Sequence, residues 1–239
     1  APAGIELVPW PLPLSGFPHT PYDRVLVETG HAAAAQEAVA GGVDALYVDT
    51  FGDYAVAAMR SLGDVPVIGA GEATLHAATL VARRYSIVTV WPRSMRFLYE
   101  DRLAATGLGE RCASIRHLEE EPGVMGRLER ADADLAARIV AACRDAIAQD
   151  GAEALALGCS CMAPVHAAVA AAVAAPVLCC SRTGFAMAVA ATLGAWASSP
   201  IAYPRVTAER AARLVALTRG AALAGGEDAC PVCPVAPGA

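Results

Sequence analysis

Short, nearly continuous apolar runs alternate along this chain with longer stretches in which alanine and leucine recur at helical spacing. The runs at residues 5–8, 45–48, 65–69, 86–90, 154–157 and 176–178 lack the strict alternation of a sheet with one wet face. They predict strands covered on both sides. Between them, apolar spacing near 3.6 residues predicts helices at roughly 30–40, 54–62, 73–83, 94–106, 130–149, 163–174, 184–196 and 207–222. Strands that alternate with helices imply βαβ units and a parallel α/β sheet.

The pattern also repeats. Gly42-Val-Asp-Ala-Leu-Tyr-Val-Asp-Thr50 aligns without gaps on Gly151-Ala-Glu-Ala-Leu-Ala-Leu-Gly-Cys159, and a Pro-Val strand follows each copy, at Pro66 and Pro176. Duplication of this kind predicts two similar, pseudo-symmetric lobes, each a short parallel sheet flanked by helices. The expected division is residues 1–89 plus 182–224 for the first lobe and 90–181 for the second, with a disordered tail at 225–239. Ligands of parallel α/β sheets collect beyond the carboxyl ends of the strands, where Thr50 and Cys159 are equivalent. An active site between the lobes is therefore expected.

Composition narrows the function. A net charge of −6 with no basic stripe argues against nucleic acid. The most apolar stretch, 163–180, contains His166, Pro164 and Pro176 and is rich in alanine, so it reads as buried helix and strand rather than a membrane span. No charged-then-apolar leader opens the sequence, which predicts a cytoplasmic protein. Eight cysteines in a chain of 239 residues suit reduced thiols better than a disulfide scaffold. Cys230 and Cys233 form a Cys-x-x-Cys pair without a second pair, and no metal site is expected there or near Cys161, Cys179 and Cys180.

Two residues carry most of the candidate chemistry. Cys159 stands at a strand end before a helix, where free N–H groups favour a thiolate, with Gly158 allowing a sharp turn and Ser160 able to hold an anion. Set against this is an inert buried cysteine. Thr50 is its counterpart; Asp49 and Asp53 are candidate activators, and a simple helix cap is the alternative.

The segments at 43–53, Val65-Pro-Val-Ile-Gly-Ala-Gly-Glu-Ala73, Tyr85-Ser-Ile-Val-Thr-Val-Trp-Pro-Arg-Ser94 and 151–162 together resemble the aspartate/glutamate/hydantoin racemase superfamily, closest to its hydantoin racemase branch. The resemblance implies a two-lobed, cofactor-independent isomerase that removes an acidic α-proton with one cysteine and returns it from the other face with a second. It implies a small-molecule substrate bearing a carboxylate or imide, and a homo-oligomer. It assigns Phe51, Gly52 and Ser160 to the substrate's oxygens and Thr89 to a hydrogen bond with it. Gly69 would allow close approach, and Glu72 would orient a site group or cap its helix. The sequence departs from the family at Thr50, where the first cysteine falls, and no Asn-Pro-Asn type loop precedes Ile5. Some members with threonine there isomerise in a one-sided way. Others keep the second cysteine alone and decarboxylate malonate-like acids, so a lyase is the alternative reading, followed by a non-catalytic binding protein.

Overall fold

The computed structural model describes residues 1–14 and 16–222. In chain order the helices and strands are α1 (Pro21–Ala40), β1 (Leu46–Val48), α2 (Val56–Met59), β2 (Val67–Gly69), α3 (Ala70–Val81), β3 (Tyr85–Thr89), α4 (Phe97–Thr106), β4 (Cys112–His117), α5 (Met125–Glu129), α6 (Ala133–Asp150), β5 (Ala154–Leu157), α7 (His166–Ala172), β6 (Val177–Cys179), α8 (Cys180–Leu193) and α9 (Ala208–Ala222). Short 3-10 turns lie at Arg93–Met95, Gly109–Arg111, Pro122–Val124 and Ser160–Val165.

The chain forms two compact units. One consists of Ala1–Val48, Tyr54–Ile68 and the described residues from Met187 on; the other of Asp49–Asp53 and Gly69–Ala186. This division differs from the expected one, because residues 49–53 and 69–89 belong to the second unit. The sheet gives the reason. β3 lies between β4 and β5 in the order β4-β3-β5-β6, with Tyr85 opposite Ala154 and Val88 opposite Leu157.

All neighbouring pairs in that sheet are parallel. Every residue of β3 and β5 is buried, so side chains on both faces are covered, as continuous apolar runs require. Helices α3, α6 and α7 pack on this sheet. In the first unit, β1 and β2 form a two-stranded sheet over a core of Ala35, Val48, Val56, Met59 and Val67. The duplication reaches individual bonds. Leu46 N–H donates to Pro66 O at 2.9 Å, and Leu155 N–H donates to Pro176 O at 2.9 Å, at equivalent positions of the two copies.

Three expectations are corrected. Residues 5–8 form no strand, with Leu7 and Val8 at least half exposed. Pro9, Pro11 and Pro13 follow immediately and cannot donate to a ladder. Helix α1 starts nine residues before the predicted position, at a capping box in which Asp23 N–H donates to Thr20 Oγ1 and Thr20 N–H to Asp23 Oδ2. The helix predicted at 163–174 opens as the 3-10 turn Ser160–Val165 and becomes α-helical only after Pro164. The predicted tail, with Cys230 and Cys233, lies outside the described residues. Among the described residues, no helix is long and apolar enough to cross a membrane.

Candidate active site

Strand ends β3 and β5 meet helix α4 through one buried phenol. Tyr99 O–H donates to Gly158 O at 3.0 Å, and Thr89 Oγ1 lies 2.6 Å from the same phenol oxygen. Because Tyr99 gives its proton to Gly158, the Thr89 hydroxyl donates to Tyr99, while Thr89 Oγ1 accepts from Trp91 N–H at 3.3 Å. Burial pushes the Tyr99 pKa up and keeps the phenol protonated. Gly158 N–H donates to Val88 O at 2.8 Å, which extends the ladder one residue past β5. A Cβ on Gly158 would stand 2.9 Å from Tyr99 Cε1 and 3.0 Å from Ile87 Cγ2, so a larger residue requires its neighbours to shift.

Cys159 leaves this junction with extended backbone and precedes the Ser160–Val165 turn. It is half-buried, as is Ser160. Cys161 N–H points at Cys159 Sγ, 3.2 Å away, and a disulfide joins Cys159 to Cys161. This pair departs from the reduced state expected of most of the cysteines. Cys112, Cys143, Cys179 and Cys180 are free. Burial raises the Cys180 thiol pKa well above its usual value, with Cys179 and Asp49 adding to the effect, so that thiol stays protonated.

The loop after β1 is the other half of the site. Asp53 N–H closes it by donating to Thr50 O at 3.2 Å. Phe51 is buried with its ring centroid 5.4 Å from that of Tyr99. Asp49 Oδ1 accepts from Ser181 O–H at 2.8 Å, at the first turn of α8. Asp53 accepts from Gly71 N–H and Glu72 N–H, both at 2.7 Å, at the first turn of α3. These two carboxylates were the candidate activators of Thr50, yet neither bonds it. Thr50 Oγ1 is buried and has no hydrogen-bond partner.

All eight expected site residues, Thr50, Phe51, Gly52, Gly69, Glu72, Thr89, Cys159 and Ser160, fall within the second unit. Thr50 was expected on a separate lobe from Cys159. Instead, a continuous path of contacts runs from its loop through Phe51 and Tyr99 to Gly158. Two open grooves of about 560 and 530 Å³ flank the edge strand β4, and neither is lined by Thr50 or Cys159. Among the described residues, no group of three or more His, Cys, Asp or Glu could hold a metal ion.

Residues 14–188 match the Asp/Glu/hydantoin racemase family. The chain belongs to that family. It is accordingly an isomerase of the racemase type. It is 31% identical to a hydantoin racemase of Rhizobium meliloti over 196 residues, covering 78% of this chain and 77% of that one. Allantoin racemase from Klebsiella pneumoniae superposes with a TM-score of 0.70 at 28% identity, covering 78% of this chain and 76% of the other. The allantoin racemase of Pseudomonas fluorescens gives a TM-score of 0.68 at 26% identity, over 81% and 79%.

Sequence reasoning missed three residues that surround the candidate site of this racemase. Tyr99 carries no local signal, since its partners are strand ends remote in sequence. His117 pairs with Thr89 across the sheet, stacks edge-on against Tyr99 and has a buried Nε2 without a partner; it was missed because β4 was missed. Ser181 could have been found by extending the repeat, which aligns it with Gly71. His76 is exposed, and His166 bonds Val177 O at 3.0 Å.

Proposed function

We propose that this protein racemises a small cyclic imide of the hydantoin type, with reduced Cys159 as principal acid and base and Thr50 facing the opposite side of the same carbon. The observation that carries the reading is the buried, unpartnered Thr50 hydroxyl, in a loop tied through Phe51 and Tyr99 to the residue before Cys159. A buried hydroxyl without a partner costs about 1–3 kcal/mol, and a substrate hydrogen bond relieves it. The similar proteins act, by name, on hydantoin and allantoin. Hydantoin rings bear an acidic C–H beside a carbonyl, which suits proton transfer without a cofactor.

In the reduced protein, the Cys161 N–H aimed at Cys159 Sγ favours the thiolate. The thiolate takes the α-proton, and charge moves to the adjacent carbonyl oxygen. Backbone N–H groups at Phe51, Gly52 and Ser160, with the Ser160 hydroxyl, receive that oxygen. Reprotonation by Cys159 restores the starting enantiomer; a proton delivered through the Thr50 hydroxyl inverts it, after which Cys159 releases the α-proton to water and water re-protonates Thr50. Thr89 acts through Tyr99, which holds Gly158 and hence the thiol in place. Gly69 leaves room for Asp53, and Glu72 gives it a backbone N–H.

Reduction comes first: dithiothreitol supplies two electrons and two protons, the Cys159–Cys161 bond breaks, and two thiols form. A working thiol of this kind belongs in a reducing compartment, the cytoplasm. The test is incubation of dithiothreitol-treated protein with each enantiomer of a 5-substituted hydantoin in deuterated water. Polarimetry and proton NMR should show loss of rotation and of the α-proton signal, both abolished in Cys159→Ala. A reduced protein that neither takes up deuterium nor changes rotation across a panel of hydantoins sinks the proposal. Release of carbon dioxide from a malonate-like acid would favour the lyase instead.

A further inference from the structure

Asp53 is 2% exposed, and the two oxygens of its carboxylate are occupied by backbone N–H groups of Gly71 and Glu72. These are among the donors that the start of α3 leaves without intrahelical partners. The cap position itself is Gly69, which has no side chain to satisfy them. A serine or aspartate at 69 would cap the helix locally. The acceptor arrives instead from a loop 18 residues earlier in the chain.

The start of α3 is shaped to receive it. A Cβ at Gly69 would lie 2.3 Å from Asp53 Oδ1, and one at Gly71 would lie 2.1 Å from Phe51 O and 2.9 Å from Asp53 Oδ2. Asp53 itself adopts left-handed backbone, with φ of 49°, which costs a non-glycine residue roughly 1 kcal/mol. The same residue's N–H holds Thr50 O. Side chain and backbone of one residue therefore bind α3 at one end and Thr50 at the other.

We infer that Asp53 is a positioning residue: it clamps the loop onto α3 and so sets where the Thr50 hydroxyl stands against the substrate. The inference rests on the proposed roles of Cys159 and Thr50. A clamp that served stability alone would support both faces of the reaction equally. One that positions Thr50 supports inversion far more than exchange through Cys159.

Two reactions read this difference. Deuterium uptake with retained configuration reports Cys159 acting alone, and inversion reports delivery from the Thr50 side. Reduced parent, Asp53→Asn and Gly71→Ala are compared in deuterated water, using the hydantoin enantiomer that takes label in the parent. Asparagine tolerates the left-handed backbone and keeps one acceptor oxygen. Gly71→Ala presses on the same clamp from the helix side. Because Phe51 and Gly52 share the clamped loop, label uptake should fall somewhat in both variants, while inversion should fall at least about tenfold further than label uptake. Equal loss of both rates in both variants, including through misfolding, overturns the positioning role and leaves a structural one. Unchanged inversion overturns it as well. A parent with neither reaction overturns the functional reading, and this inference falls with it.

Discussion

In the proposed mechanism, Thr50 is the residue on which inversion turns. A hydroxyl is a far weaker acid than a thiol, so its proton affinity is poorly matched to that of Cys159. Delivery from its side should be the slow step, with exchange running ahead of inversion. Thr50→Cys restores the match, and inversion should rise about tenfold or more while label uptake changes little; polarimetry beside NMR on one sample measures both. The placement of Cys159 and Thr50 at strand ends was legible, because strand pattern and a repeat identify those positions without tertiary knowledge. The roles of Asp53 and Tyr99 were not, since their partners lie 18 and 59 residues away in the chain. The bond between Cys159 and Cys161 was hidden too, because composition argues about compartments and not about particular pairs.

Elements were read best where burial is complete. β5 was predicted at its observed bounds, with all four residues buried. β4 escaped because it is an edge strand whose alternate residues are polar: Ser114 bonds Ser86 and Asp150, and Arg116 pairs with Asp150. Those partners convert an unpromising hexapeptide into a strand. At the end of β5 the sheet, α4 and the Cys159 turn meet with no spare volume. Gly158→Ala should therefore destabilise the fold by about 1–3 kcal/mol through overpacking, measured by urea titration. It should also displace Cys159, so label uptake in the folded protein should drop more than about tenfold; unchanged uptake would show that the turn adapts freely.

At the scale of the whole molecule, Asp53 opposes the usual acid sensitivity. Burial, with help from Glu72, raises its pKa to about 7, against the pull of the two backbone N–H groups and Arg102. A carboxyl whose folded value exceeds its unfolded one adds stability that is complete below about pH 4 and is lost as pH rises through about 7. His31, whose pKa is lowered by burial, works in the other direction below about pH 6.5. Relative to Asp53→Asn, which does not titrate there, the parent should gain thermal stability as buffer pH falls from 8 to 5. A melting-temperature difference that stays flat over that range would contradict it. The link between Cys159 and Cys161 has its own consequence for handling. In air, a sulfur already joined to its neighbour is shielded from sulfinic and sulfonic acid, the steps from which thiol reagents bring nothing back. On the proposed role of Cys159, protein left in air should thus be dormant rather than spoiled, and dithiothreitol should restore label uptake.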